Sequence, residues 1–389
     1  MNKVEEPHED QRVYSTDMML RVSLILVVLS TLACSASSHL RSHLPGHAFP
    51  EAEAVFHQDP RWLGADAALS IPLEKDRTVW LFGDTFVAES DARVRSESKM
   101  VRNSVAIQVG KDLRHASIEF HWRQDSDGSP ASFFPESTGR WYWPGHGIRL
   151  EDGPLIIFLY ALIARPNEGL GFASAGYAIA VIDDPDQSPD NWNPRITDMA
   201  PSLFDALPAT AVVQDGEHII AVAIRQDGQH AGALVRHPAA LLAQSDVSGA
   251  EWWAGSERGW VPESLLGPGG PTFVLDDAGS ECSLHWDERR RSFIHVASYG
   301  LGASTIGLRT APAITGPWSS PEVVYRPPES DGPRPFVYAA KAHPELAGPD
   351  VADLVVTYAV NSFDFGDLFT QKGARSLYWP RVVLVRMSE

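Results

Sequence analysis

Residues 68–84 read ALSIPLEKDRTVWLFGD. A β-rich apolar stretch runs into a polar turn at Glu74-Lys75-Asp76 and is answered by a second apolar stretch, which is the pattern of a β-hairpin. Four more stretches have the same form: GIRLEDGPLIIFLYAL at 147–162, TAVVQDGEHIIAVAI at 210–224, SLHWDERRRSFIHVAS at 283–298 and AKAHPELAGPDVADLVVTYAV at 340–360. Their second strands begin at Val79, Leu155, Ile219, Phe293 and Leu354, at intervals of 76, 64, 74 and 61 residues. A hairpin repeated at that spacing marks an array of similar β units.

Tryptophan supplies a second marker. Between 25 and 43 residues after the start of each of the first four second strands comes Trp122, Trp192, the pair Trp252 and Trp253, or Trp318. That interval leaves room for a third strand and then an outer fourth. The sequence therefore predicts an all-β fold, a five-bladed β-propeller of four-stranded antiparallel blades in which each blade buries its faces against its neighbours. A pair of sandwiched sheets is the competing architecture, and repeated hairpins fit it less well. In the fifth copy RVVLVRM, 381–387, supplies a third strand, and an early strand around residues 52–57 could complete the blade and close the ring. Long amphipathic helices are missing; residues 238–244 are a short helical candidate.

With 389 residues, 44% of them hydrophobic and 21% charged, the chain can bury a sizeable core. Asp and Glu number 50 against 32 Lys and Arg, a net charge of −18, which repels phosphate backbones and argues against nucleic acid and anionic membrane surfaces as partners. Two cysteines, Cys34 and Cys282, permit at most one disulfide and cannot build a cysteine-rich metal site. The phosphate-cradling GxxxxGK[ST], HExxH, CxxC and GxSxG motifs do not occur. His39, His43 and His47 stand four apart, but Pro45-Gly46 would break a shared helix, and the Asp-rich stretch 183–190 lacks the Gly and closing Glu of a calcium loop. Nothing calls for a metal or cofactor.

Residues 22–32, VSLILVVLSTL, form an apolar run behind Arg21 that is too short to span a bilayer but fits the core of a secretory signal peptide. The acidic segment before it suits a true start at Met18 or Met19. Leu32-Ala33-Cys34 looks like a bacterial lipoprotein cleavage site, which would make Cys34 the lipidated terminus; ordinary cleavage near Ala33 or Ala36 is the alternative. The expected organisation is a signal peptide at 1–34, a tether at 35–50 and the propeller at 51–389. Export to the cell envelope follows, with the membrane met only through the lipid.

In a propeller the first strand of each blade lines the central channel, so polar residues at the starts of those strands converge at one end. Gly64-Ala65-Asp66 opens the first, Trp143-Pro144-Gly145-His146 the second, Ser280-Glu281-Cys282-Ser283 the fourth, and Tyr338 lies in the fifth. Asp84, in Phe82-Gly83-Asp84-Thr85, either bonds its own turn or points to the channel mouth. Arg102-Asn103-Ser104 enters the third strand of its blade, where it could hold a carboxylate or serve the structure. Asn361, Tyr378 and Arg381 flank an aromatic-rich loop, and aromatic rings beside a channel suit the apolar face of a sugar. Two carboxyls are the usual requirement for cleaving a glycosidic bond: one protonates the leaving oxygen while the other activates water or attacks carbon.

GADAALSIPL with RTVWLFGDTFV, then MVRNSVAI, YAVNSFDFGDL and LYWPRVVLVRM, resembles a family of exported bacterial five-bladed propellers of largely unknown function, some of them endo-D-arabinanases. It is distantly similar to arabinanase, levansucrase and invertase glycosidases. The resemblance spans roughly residues 60–389 and implies that Asp66 is the base or nucleophile. The wider group also has an Asp in the second blade and a Glu acid in the third. Here His146 takes the former place and ALPATAVVQDG, 206–216, offers no Glu, so Glu281 stands in as the acid.

The expectation is an exported glycoside hydrolase-like protein acting on an extracellular or cell-wall polysaccharide. Asp66, Glu281 and Asp84 form the catalytic set, with the Glu281 proton held by apolar surroundings. Arg102, Asn103, Trp143, His146, Tyr338, Asn361, Tyr378 and Arg381 hold the sugar. The alternative is a non-catalytic glycan-binding or protein-docking propeller lipoprotein.

Overall fold

The computed structural model describes residues 45–387 apart from 138, 168–170, 200–203 and 301–303. The signal peptide, Cys34 and residues 35–44 of the tether lie outside the described residues. Of the seven antiparallel sheets among the described residues, the five larger ones follow one another along the chain. The first holds Leu69–Pro72, Arg77–Phe82, Ser104–Val109 and Ser117–His121; the second holds Arg140–Arg149, Leu155–Ala164, Phe172–Ile182 and Arg195–Met199. The third begins Ala206–Asp215, His218–Arg225, Gly232–Pro238; the fourth is Cys282–Asp287, Ser292–Tyr299, Thr305–Ala311 and Glu322–Tyr325. The fifth is Pro335–Ala342, Asp353–Ser362 and Arg381–Arg386, with Gly46–Ala48 on its outer edge. All five hairpins read from the sequence are present. Among the described residues no helix is long and apolar enough to cross a membrane.

Successive residues of a strand face opposite sides of its sheet. In the second strand of the second sheet, Leu155, Ile157 and Leu159 pack against Leu69, Ile71 and Leu81 of the first sheet, while Ile156 and Phe158 pack against Ile219 and Ala221 of the third. Both faces are buried, which is why LIIFLYAL reads as a continuous apolar run instead of an alternating one. The same division recurs: Ile220 and Val222 meet Leu284 and Ala297, and Ile294 and Val296 meet Val337 and Val356. A further buried cluster joins Val355, Val382 and Leu384 of the fifth sheet to Trp80 and Phe82 of the first. Each side chain so buried contributes about 1.5–3 kcal/mol.

Three expectations are corrected. The outer strand that completes the fifth sheet is Gly46–Ala48, paired with Arg381–Arg386, whereas residues 52–57 are helical in Pro50–Glu53 and Ala54–His57; the last residues assigned to the tether thus belong to the fold. Pro50 in the first helical turn and Ala-Glu-Ala after it favour helix over strand. The third sheet exceeds four strands, since Glu251–Trp253 and Trp260–Pro262 extend it and Phe273–Leu275 pairs with Gly232–Pro238. Asp66 does not open the inner strand of the first sheet. It sits in a turn between Leu69–Pro72 and Trp62–Ala65, the latter belonging to a small sheet with Thr85–Ala88 and Ser98–Val101.

The first strands of consecutive sheets touch, and at one such contact a Cβ on Gly145 would overlap the backbone of Ala209. Gly145→Ala is expected to lower stability by about 1–3 kcal/mol. The measurement is urea unfolding: the midpoint should fall with the slope unchanged, and an unmoved midpoint would contradict so close an approach.

Candidate active site

All five first strands run the same way through the molecule. One end carries Asp66, Trp143, Glu281 and Tyr338; toward the other, Pro72, Arg149, Asp215, Trp286 and Glu345 line a cavity of about 860 Å³. Asp66 is the centre of the first end. Its turn forces Ala67 and Ala68 into positive φ, 66° and 54°, and Ala339 and Tyr378 nearby adopt 58° and 64°. Such backbone is costly for residues with a Cβ and concentrates where a site demands it. The Tyr338 hydroxyl donates to Asp66 Oδ2 at 2.8 Å, and the Tyr378 hydroxyl also bonds this carboxyl. A Cβ at position 83 would collide with Asp66 Oδ1, so Phe82-Gly83-Asp84 needs its glycine to let the carboxyl in.

Asp84 faces the same space. Trp143 Nε1 donates to its Oδ1 at 2.9 Å, and Arg102 Nη1 lies 3.6 Å from its Oδ2 while stacking 4.7 Å over the Trp141 ring. Burial, then the charges of Asp84 and Glu281, push the Asp66 carboxyl up to about 7 against the two phenol hydrogen bonds. Burial raises Asp84 as well, opposed by Arg102 and Trp143. Asn361 bonds the Tyr338 side chain. The structure thus brings together Asp66, Asp84, Glu281, Arg102, Trp143, Tyr338, Asn361 and Tyr378.

Glu281 differs from expectation in its surroundings. Its Oε2 pairs at 2.8 Å with the ammonium of Lys341, which is 2% exposed and also donates to Ala67 O at 2.7 Å and Ala339 O at 2.9 Å. The apolar pocket expected around Glu281 is thus replaced by an ion pair with a buried ammonium. Sequence reasoning missed Lys341, although a lysine inside the apolar run VYAAKA was a visible signal. It also missed Glu136, whose charge acts on Asp84.

Three binding residues are corrected. Asn103 is fully buried: its amide donates to Phe134 O and Tyr142 O and its carbonyl accepts from Phe134 N, which pins a loop to the second sheet. His146 lies within the bulge between Pro144 and Gly147, where Nδ1 accepts from Val212 N at 3.1 Å and Nε2 faces Ser70 O at 3.2 Å. Burial lowers its pKa to about 4, leaving a neutral strap between the first and third sheets. Arg381 is held by Glu53 at 2.7 Å and by Ser376 O, a tie between the helical N-terminal segment and the fifth sheet. Cys282 is buried beside Glu281, and its thiol is pushed up to about 12, chiefly by burial. Among the described residues no group of three or more His, Cys, Asp or Glu side chains could hold a metal ion.

A family model described as a domain of unknown function, DUF5005, matches residues 51–387. The chain belongs to this family. No curated protein sequence matches it. Among solved structures, a proposed hydrolase from Bacteroides ovatus shares the fold, with a TM-score of 0.68 and 15% identity over 87% of this chain and 89% of that one. The exo-beta-1,3-galactanase of Phanerochaete chrysosporium aligns at a TM-score of 0.48 and 9% identity, over 82% of this chain and 60% of that one. The endo-arabinase of Bacteroides thetaiotaomicron aligns at 0.43 and 15%, over 84% and 95%.

The raised Asp66 carboxyl makes stability depend on pH with a definite sign. Its folded pKa of about 7 exceeds the unfolded value near 4, so the folded state binds the extra proton and stability falls as pH rises between the two. The gap is on the order of 2–4 kcal/mol. Asp66→Asn should therefore gain stability relative to wild type at pH 8, with the difference shrinking toward pH 4. Denaturant titrations of both proteins across that range check this, and a pH-independent difference contradicts it.

Proposed function

We propose that this member of the family is an exported glycoside hydrolase-like protein, a closed five-bladed propeller that cleaves a polysaccharide at the Asp66 end of its channel. Closure is supported by five buried apolar interfaces, four between consecutive sheets and the fifth between last and first. The observation that carries the catalytic reading is a carboxyl raised to about 7 with a second carboxyl acting on it across the mouth. Burial first, and then the two neighbouring negative charges, keep a proton on this carboxyl near neutrality.

Asp84, with Trp143 and Arg102 beside it, is the carboxylate that activates water or attacks carbon. Asp66 keeps its proton near neutrality and delivers it to the leaving oxygen. This exchanges the role first assigned to Asp66, because the polar partners of Asp84 favour its charged form. Glu281, tied to Lys341, maintains a negative field that keeps the proton on Asp66. Tyr338, Tyr378 and Asn361 hold the acid in place, and Arg102 and Trp143 border the sugar. The likeness to arabinan-cleaving proteins makes arabinan the first substrate to test.

Residues 35–389 incubated with arabinan, fructan and cell-wall glycans should generate new reducing ends. Asp66→Asn and Asp84→Asn should each lose about 10²–10⁴-fold in kcat, and Glu281→Gln should lose less. Activity should decline above about pH 7 as Asp66 gives up its proton; activity still rising at pH 8 removes Asp66 as donor. Glycan retention without product after prolonged incubation would favour the non-catalytic reading. Export and anchoring rest on the sequence around Cys34. Full-length protein expressed in a bacterial host should partition into detergent, and Cys34→Ala should move it to the aqueous phase; identical partitioning refutes the anchor.

A further inference from the structure

The connection between the second and third strands is short in the second, third and fourth sheets, 165–171, 226–231 and 300–304. In the first and fifth sheets it is long, 83–103 and 363–380, and the two long segments meet beside Asp66. Phe86 from one lies 5.7 Å from Phe369 of the other and 5.4 Å from Tyr378, which bonds Asp66. On the fifth sheet itself a row of rings leads outward from the carboxyl. Tyr338 donates to Asp66, Phe336 lies 5.4 Å from Tyr338, and Phe363 lies 4.7 Å from Phe336, with neighbouring planes tilted by only 34° and 32°.

The outer rings are open to solvent: Phe363 is 45% exposed, Phe365 36% and Phe369 42%. Single exposed apolar residues are ordinary, but three within seven residues form a patch that calls for a partner. The segment is also built to hold its shape. Phe363 N donates to Arg334 O at 2.9 Å, Arg334 pairs with Asp367 at 3.0 Å, and Ser362 Oγ donates to Asp367 at 2.7 Å. Asp364 caps the turn by accepting from Gly366 N. Rings displayed on a preorganised segment lose little freedom when a ligand settles on them.

We infer that Phe336, Phe363 and the adjoining Phe365 and Phe369 form a shelf that seats sugar units next to the one being cleaved, so that the site takes an extended glycan chain. This rests on the glycosidase reading and adds the residues that seat the polysaccharide beyond the bond being cleaved. Tilted rings that follow one another at 5.4 and 4.7 Å, with the outermost open to solvent, give an apolar border along which a sugar chain can lie, as the amphipathic faces of aromatic side chains suit carbohydrate. A lipid surface is the other occupant that exposed phenylalanines could take. The row points instead to the glycan, because it runs ring by ring to Asp66.

The test uses affinity electrophoresis in gels containing soluble arabinan or levan, with Asp66→Asn as a non-cleaving background. Adding Phe363→Ala should weaken retardation five- to tenfold, and Phe363→Trp should restore it. In the active protein Phe363→Ala should raise KM for the polymer by a similar factor, leaving kcat and the rate on a nitrophenyl arabinofuranoside unchanged. Equal retardation of the Phe363→Ala and parent proteins overturns the shelf and leaves the glycosidase reading standing. Flotation with phosphatidylcholine–phosphatidylglycerol vesicles that is lost on Phe363→Ala, with glycan binding intact, overturns it in favour of a membrane contact. If neither polymer is bound or cleaved by any form, the glycosidase reading falls and the shelf falls with it.

Discussion

The ammonium of Lys341 is almost wholly withdrawn from water, and it is stable there because each of its three protons has an acceptor: Ala67 O, Ala339 O and Glu281. Those acceptors come from three places. Ala339 is on the same strand in the fifth sheet, Ala67 is in the turn before the first sheet, and Glu281 is the residue before the fourth. A buried charge whose partner is removed costs about 3–5 kcal/mol, so these backbone positions are bound to one another. The positive φ at Ala67 and Ala339 is the backbone's side of this bargain, since both carbonyls turn inward to reach the ammonium.

The position of Asp66 follows from that joint. Its neighbour Ala67 is pinned, Gly83 leaves room for its carboxyl, and Tyr338 and Tyr378 close over it from the fifth sheet. Three acidic groups, Asp66, Asp84 and Glu281, then act on one another, and burial withdraws Asp66 and Asp84 from water. Mutual repulsion and desolvation act in the same direction, and the group with the poorest compensation, Asp66, takes the proton. Lys341 pairs with Glu281 and Arg102 lies beside Asp84, whereas Asp66 is held by two phenols.

Much of this was readable in the chain. The hairpins were legible because turn residues and doubly buried strands leave strong local signals, as in LIIFLYAL. Asp66 was legible as a carboxylate in an alanine setting, and Asp84 from the glycine before it. The closing strand was not, because Gly46-His47-Ala48 is three residues long and takes its structure from pairing with Arg381–Arg386. Asn103, His146 and Arg381 illustrate a second limit. A polar side chain at a strand start can serve a ligand or satisfy backbone groups of a neighbouring sheet, and only the folded distances separate the two. Lys341 shows the converse: its partners lie 60 and 274 residues away, beyond any local pattern.

The fifth sheet is assembled from both extremes of the fold. Arg381–Arg386 lies between Asp353–Ser362 and Gly46–Ala48, so the strand made last is flanked by one of the earliest and one of the latest. A chain interrupted before residue 381 would leave the first strand unpaired, with Val355 and Trp80 on one side and Val356 on the other stripped of cover. Such a product displays apolar surface and an open strand edge, the features by which incomplete chains aggregate or are degraded. The strand Arg381–Arg386 therefore covers apolar side chains on both of its faces, Val382 and Leu384 on one and Val383 and Val385 on the other.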